Sequence, residues 1–280
     1  MKATSKTVLI TGTSSGIGLG IARELILRGY RIFGSVRREE DANRVRSELG
    51  EGFVPLLFDV TDQAAIDRAA VEVRRALNGE GLGGLINNSG IVVSGPIELL
   101  PVEELVRGFD VNVFGLLRVT KAFLPLLGAQ KDHPSAPGRI LNIGSVAGHV
   151  SVPYLAAYNG SKHALEGISQ TMRRELMRYG IRVVIVGPGP VETPIFGKSS
   201  LESYAGTTYY DSLTKFFTKI RENGKKNGMP MEECSRRIAD IFETERPKTR
   251  YAVVRGKFMN WTLLRLLPDR ALDSFFEKMM

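Results

Sequence analysis

Thr7-Val8-Leu9-Ile10-Thr11-Gly12-Thr13-Ser14-Ser15-Gly16-Ile17-Gly18 runs from an apolar stretch straight into a glycine turn. Beyond the turn, Ile17, Ile21 and Leu25 recur at helical spacing until Gly29, so the order is strand, turn, helix. That is the context a nucleotide loop needs. Gly12 permits the tight turn, Gly16 lets a pyrophosphate approach the backbone, and Gly18 allows close helix packing. The helix N-terminus adds amide donors and the positive end of a dipole. The spacing, Gly-x-x-x-Gly-x-Gly, differs from the Gly-x-Gly-x-x-Gly fingerprint of other dinucleotide folds.

Outward from this stretch, short apolar runs alternate with helical patterns. Strands are predicted near residues 7–11, 31–36, 53–58, 84–87, 139–144, 181–186 and 250–254, and helices notably over 17–28, 62–77, 102–127 and 155–179. Such alternation predicts an α/β fold with a doubly wound, mainly parallel seven-stranded sheet of Rossmann type. With 280 residues, 43% hydrophobic and 24% charged, one core suffices. The expected organisation is a single domain over 1–280, with a substrate loop at 194–230 and an apolar C-terminal extension at 255–280.

Ser145, Tyr158 and Lys162 could bring a hydroxyl, a phenol and an ammonium to one carbonyl oxygen. On a helix, Lys162 shares a face with Tyr158, and its charge would pull a phenol pKa of about 10 toward neutrality, making a usable general acid and base. Alone, the pair reads better as an exposed lysine beside a half-buried tyrosine.

Further motifs follow in order: Asp59-Val60, Asn87-Asn88-Ser89-Gly90, Asn112, Ser145, Tyr158 with Lys162, and Pro188-Gly189-Pro190-Val191-Glu192-Thr193. Together with the glycine loop they make the chain resemble the short-chain dehydrogenase/reductase family over nearly all of residues 5 to 260. The resemblance implies strand order 3-2-1-4-5-6-7 and cofactor contacts from the loop residues Gly12, Ser14, Ser15, Gly16, Ile17 and Gly18. It also implies Asp59 and Val60 at the adenine edge and Asn88, Ser89 and Gly90 along the adenine ribose, with Ser89 standing where the family usually has alanine. Pro188, Gly189, Val191 and Thr193 would hold the nicotinamide carboxamide. Ser145 would polarise the substrate oxygen, Tyr158 exchange its proton, and Lys162 bind the nicotinamide ribose. Asn112 would support a water relay behind the lysine, or else be a helix kink or a satisfied core amide. A homodimer or homotetramer through helices 102–127 and 155–179 is also implied.

Cofactor choice turns on the second strand's end. An NAD-preferring chain places an acid there for the ribose 2′-hydroxyl; here the residues are Ser35-Val36-Arg37-Arg38. Two guanidinium groups suit a 2′-phosphate, so NADP(H) is expected, with Arg37 as main contact and Ser35 or Arg38 assisting. The plainer reading is that Arg37 and Arg38 begin a solvated helix with Glu39, Glu40 and Asp41. NAD(H) stays open, as do an NAD-preferring dehydrogenase of a small hydroxy compound and a non-catalytic cofactor-sensing protein.

Other chemistries find little support. His133, His149 and His163 lack metal-ligand spacing, so no metal is expected, and Ser145 lacks a nucleophile elbow. A net charge of +8 comes without a nucleic-acid motif and suits a polyanionic cofactor. Cys234 is the single cysteine, no apolar signal region precedes the first strand, and no stretch reaches 18 apolar residues; a cytoplasmic location is expected. Phe196, Tyr204, Tyr209, Tyr210, Phe216 and Phe217 suit a bulky apolar alcohol or ketone, or plain core packing. The apolar run from Phe258 to Leu267, with Leu272, Phe275 and Phe276, reads first as packing or a lid and second as a weak membrane-surface contact, with a dimer contact also open. The branch handling retinoid-like and steroid-like substrates is the most similar, an analogy that implies a lipophilic small molecule.

Overall fold

The computed structural model describes residues 5–130, 133–191 and 201–280. β1 (Thr7–Ile10), β2 (Arg31–Val36), β3 (Phe53–Leu57), β4 (Gly84–Asn87), β5 (Arg139–Ile143), β6 (Arg182–Pro188) and β7 (Arg250–Val253) form one sheet in the order 3-2-1-4-5-6-7. Every pairing is parallel, with Leu9 opposite Phe33 on one side and Leu85 on the other. The expected fold class and strand order are what the chain adopts.

Parallel strands require crossovers, and helices supply them. α1 (Gly16–Leu27), α2 (Glu39–Leu49) and α3 (Gln63–Leu77) wind the first half. α4 (Val102–Phe109), a π turn (Asp110–Gly115) and α5 (Leu116–Phe123) follow β4, and α6 (Ala156–Leu176) follows β5. After β6 come α7 (Tyr210–Asn227) and α8 (Met231–Glu243); after β7 come a second π turn (Phe258–Leu263), α9 (Leu264–Leu266) and α10 (Asp269–Glu277). The helix expected over 102–127 is thus broken by a π turn containing Asn112. Within it Asn112 is buried, its amide turned to Ile91 and Ser161.

Side-chain alternation sorts the core. Val8 and Ile10 of β1 face the α1 and α8 side with Ile21, Leu25 and Ile238, whereas Leu9 faces the α3, α5 and α6 side with Ile66, Val119 and Leu165. Both faces of a parallel sheet are covered, so its strands read as continuous apolar runs. The consequence for function is directional: every strand delivers its carboxyl end to one edge. Chains leaving β1 and β4 part there, opening the crevice that such sheets use for ligands.

On the other side, α1 meets α8 at Gly20, where an added Cβ would lie 2.1 Å from Ser235 Oγ. Gly20→Val is expected to cost about 1–3 kcal/mol, seen as a lower urea midpoint with an unchanged slope; an unchanged midpoint would contradict this packing.

Candidate functional site

Two loops meet at the crevice. Gly12 and Gly16 have φ of 70° and 62°, the left-handed region that glycine enters without steric cost. A Cβ on Gly18 would stand 2.2 Å from the Gly12 carbonyl oxygen and 2.4 Å from Asn88 Nδ2, so only glycine lets α1 begin so close to the turn. Ser15 makes no capping side-chain bond, which leaves the first amides of α1 as donors.

Thr11 joins the loops. Its buried hydroxyl accepts the backbone N–H of Asn88 at 2.9 Å and of Ser89 at 3.0 Å, while Asn88 Nδ2 donates to the carbonyls of Thr11 and Gly12 at 2.9 and 3.1 Å. From β2, Ser35 Oγ accepts the Gly12 amide at 3.0 Å, and the Ser35 carbonyl takes both the amide and hydroxyl of Thr13. The donor-lined turn, its glycine cradle and the dipole end fit a dinucleotide's pyrophosphate.

At the end of β2, Arg37 is mostly exposed and stands 3.7 Å from Asp59 Oδ2. Asp59 Oδ1 accepts the amide and hydroxyl of Thr61, and Val60 packs under the π turn at Gly115. Arg38 turns away: its Nε donates to Asp41 at 2.9 Å and it lies 4.0 Å from Glu40, the solvated-helix arrangement. Arg44, on α2, donates to the Ser14 carbonyl at 2.6 Å and so braces the glycine loop, a role no local sequence signal announces.

The hydroxyl, phenol and ammonium come from β5's carboxyl end and α6. Ser145 stands at the head of a short turn over Val146–Gly148, its Oγ accepting the Ala147 amide at 3.1 Å. That leaves its proton for an acceptor in the crevice, and the hydroxyl is near enough to Tyr158 to pull the phenol pKa down. Lys162 is buried, its Nζ donating to the Ile143 carbonyl at 2.9 Å and lying 5.7 Å from the Tyr158 ring centroid.

The electrostatics differ from the expected tyrosine near neutrality. Removal from water pushes the Tyr158 phenol above its ordinary value, against the opposing pull of Ser145. Desolvation likewise lowers Lys162 to about 8, with Glu166 opposing. Burial disfavours the charged form of both groups, and Lys162 directs its protons at a carbonyl, so its charge does not offset that cost for the phenol.

Asn112 is a satisfied amide. It donates to the Ile91 carbonyl at 3.0 Å and to Ser161 Oγ at 2.9 Å, and accepts the Ile91 amide at 2.8 Å. It therefore ties the loop after β4 to α6; a Cβ on Gly90 would fall 3.2 Å from its Oδ1 and 3.8 Å from Lys162 Nζ. Pro188 ends β6, Gly189 donates to Val253 at 3.0 Å, and Val191 bridges to Met229. Thr193, Phe196 and residues 194–200 of the expected substrate loop lie outside the described residues.

Tyr158 packs against an apolar core of Leu155, Leu213, Phe216 and Phe217, which Val92, Phe276 and Met279 also touch. Phe216 and Phe217 are fully or almost fully buried core, whereas Tyr204 and Tyr209 reach across to Ser94 and Glu98. Tyr154, beside this cluster, holds φ at 62°, an unusual conformation for a bulky residue that signals local constraint.

The chain matches the family model described as short chain dehydrogenase over residues 6–203. It is 39% identical to the NADPH-dependent 3-dehydrocapnine reductase of Ornithobacterium rhinotracheale, covering 96% of this chain and 95% of that protein. It is 36% identical to human retinol dehydrogenase 16, over 96% and 87% of the two chains. A solved short-chain dehydrogenase from Streptomyces avermitilis superposes with a TM-score of 0.77 at 28% identity, over 99% and 97% of the two chains. With the doubly wound sheet, the glycine cradle and these likenesses in agreement, the chain belongs to the short-chain dehydrogenase/reductase family of oxidoreductases.

Proposed function

We propose that the protein is an NADP(H)-dependent oxidoreductase interconverting a lipophilic secondary alcohol, retinoid-like or steroid-like in character, with its ketone, or a primary one with its aldehyde. The observation that carries this reading is Tyr158, packed against an apolar cluster and flanked by Ser145 and Lys162. The relatives named as an NADPH-dependent reductase and a retinol dehydrogenase support it.

A bound dinucleotide would supply or take up the hydride. Gly12 to Gly18 and the head of α1 would hold its pyrophosphate, and Arg37, exposed where an NAD-preferring chain carries an acid, would pair with the 2′-phosphate. Ser145 donates a hydrogen bond to the substrate oxygen and holds it against Tyr158. In reduction the Tyr158 hydroxyl gives that oxygen a proton, which its raised pKa keeps in place at neutral pH. Lys162, when charged, stabilises the tyrosinate left behind. In oxidation the same oxygen accepts the alcohol proton. Asn112 holds α6 to the loop after β4, keeping Lys162 and Tyr158 in register. The apolar side chains of α7 and α10 exclude water and favour a bulky substrate.

Fluorescence titration with NADPH and NADH, followed by turnover against lipophilic ketones and aldehydes, tests the reading. Preference for NADPH with reduction of a bulky carbonyl is expected; binding without turnover would move the protein to the sensing class. Tyr158→Phe keeps the ring and removes the proton, so kcat should fall at least ~100-fold with NADPH affinity retained; wild-type turnover would refute the scheme. Combining Val36→Asp with Arg37→Ala should shift cofactor preference toward NADH by about 10- to 100-fold, the worth of a charge-assisted contact. Unchanged NADPH kinetics in that variant would remove Arg37 from the cofactor site.

A further inference from the structure

Beyond Lys162, α6 carries a buried charged cluster that the reaction proposed above does not use. Glu166 lies one helical turn past Lys162 and accepts Arg250 Nε at 3.0 and 3.1 Å and Nη2 at 2.9 Å. A carboxylate and a guanidinium out of water persist only while each satisfies the other. Arg250, at the start of β7, also aims Nη2 at the Ser145 carbonyl, 3.4 Å away.

The other face of this guanidinium is covered by an indole. Arg250 lies 4.0 Å over the ring of Trp261, which is buried although it belongs to the C-terminal segment. Arg265 sits 4.8 Å from the same ring. His149, four residues after Ser145, meets the ring edge-on with centroids 5.1 Å apart. One guanidinium is therefore held between the helix bearing Lys162 and the C-terminal segment, with the backbone of Ser145 on its rim.

We propose that Trp261 is a positioning residue: by stacking on Arg250 it fixes the Arg250–Glu166 pair and, through it, sets Ser145 and Lys162 against Tyr158. This inference rests on the oxidoreductase reading above. The ring face, not merely the bulk, is required, because a cation is drawn to the quadrupole of an aromatic. Loss of the stack frees the guanidinium to turn, and the serine backbone and α6 lose a shared reference. The C-terminal segment thereby contributes to catalysis from outside the reacting atoms.

Trp261→Phe and Trp261→Leu separate ring from bulk, with melting curves showing that both fold. The phenylalanine variant should keep kcat near wild type, whereas the leucine variant should lose about tenfold in kcat, with NADPH Kd within about twofold. Wild-type kcat in Trp261→Leu, or parallel loss of NADPH affinity and kcat, would overturn the proposal. Absence of turnover in the wild-type protein would overturn the oxidoreductase reading together with this one, so the two failures are distinguishable. Glu166→Gln gives a second readout because Trp261 is the single tryptophan. Its emission should move to longer wavelength as the stack loosens, with a matching fall in kcat; wild-type emission and kcat in that variant would overturn the linkage.

Discussion

The hydroxyl of Thr11 is the contact on which the nucleotide end of the molecule depends. β1 and β4 are neighbours in the sheet, yet their chains diverge beyond it, and divergence leaves backbone amides at the crevice floor without strand partners. A buried amide without an acceptor costs as much as a lost hydrogen bond. Thr11 supplies that acceptor to Asn88 and Ser89 together. Once the two loops are joined, Asn88 can hold the carbonyls of Thr11 and Gly12, and Gly18 can pack against its amide. Crevice and cradle are then one rigid unit, positioned before any ligand arrives.

The reacting end faces a different constraint, the burial of charge. Lys162 and Tyr158 are both biased by desolvation toward their neutral forms. That bias suits a proton donor, and it leaves a cation that becomes useful when a negative oxygen forms beside it. Glu166 works against the desolvation of Lys162 and is itself neutralised by Arg250. Ser145, Lys162 and the Glu166–Arg250 pair form a chain of dependence running from the carboxyl end of β5 through the first three turns of α6 to the start of β7. Buried polar groups in such a chain are favourable only while all remain satisfied.

Much of this was legible from local pattern. The apolar runs place the strands within a residue or two, because a strand buried on both faces has to be apolar throughout. The glycine loop is legible because left-handed turns and close backbone approach demand glycine at Gly12, Gly16 and Gly18. Tyr158 and Lys162 are legible because helical periodicity alone puts them on one face. The π turn at Asn112 was not, since an insertion of one residue per turn leaves no compositional mark. The tyrosine's electrostatics were misread for a related reason: spacing reports which groups are close, while desolvation depends on everything packed around them.

By itself, then, the amino-acid sequence determined the alternating architecture, the glycine turn after β1 and the shared helix face of Tyr158 and Lys162, all of which follow from short-range periodicity and backbone sterics. Tertiary structure alone decided that Arg38 serves its own helix while Arg37 reaches Asp59, that Arg44 reaches back to Ser14, and that Trp261 covers Arg250 beside α6. These contacts join residues distant along the chain, and no local rule encodes them: an ion pair or a ring stack depends on where the sheet and its crossovers bring two side chains together.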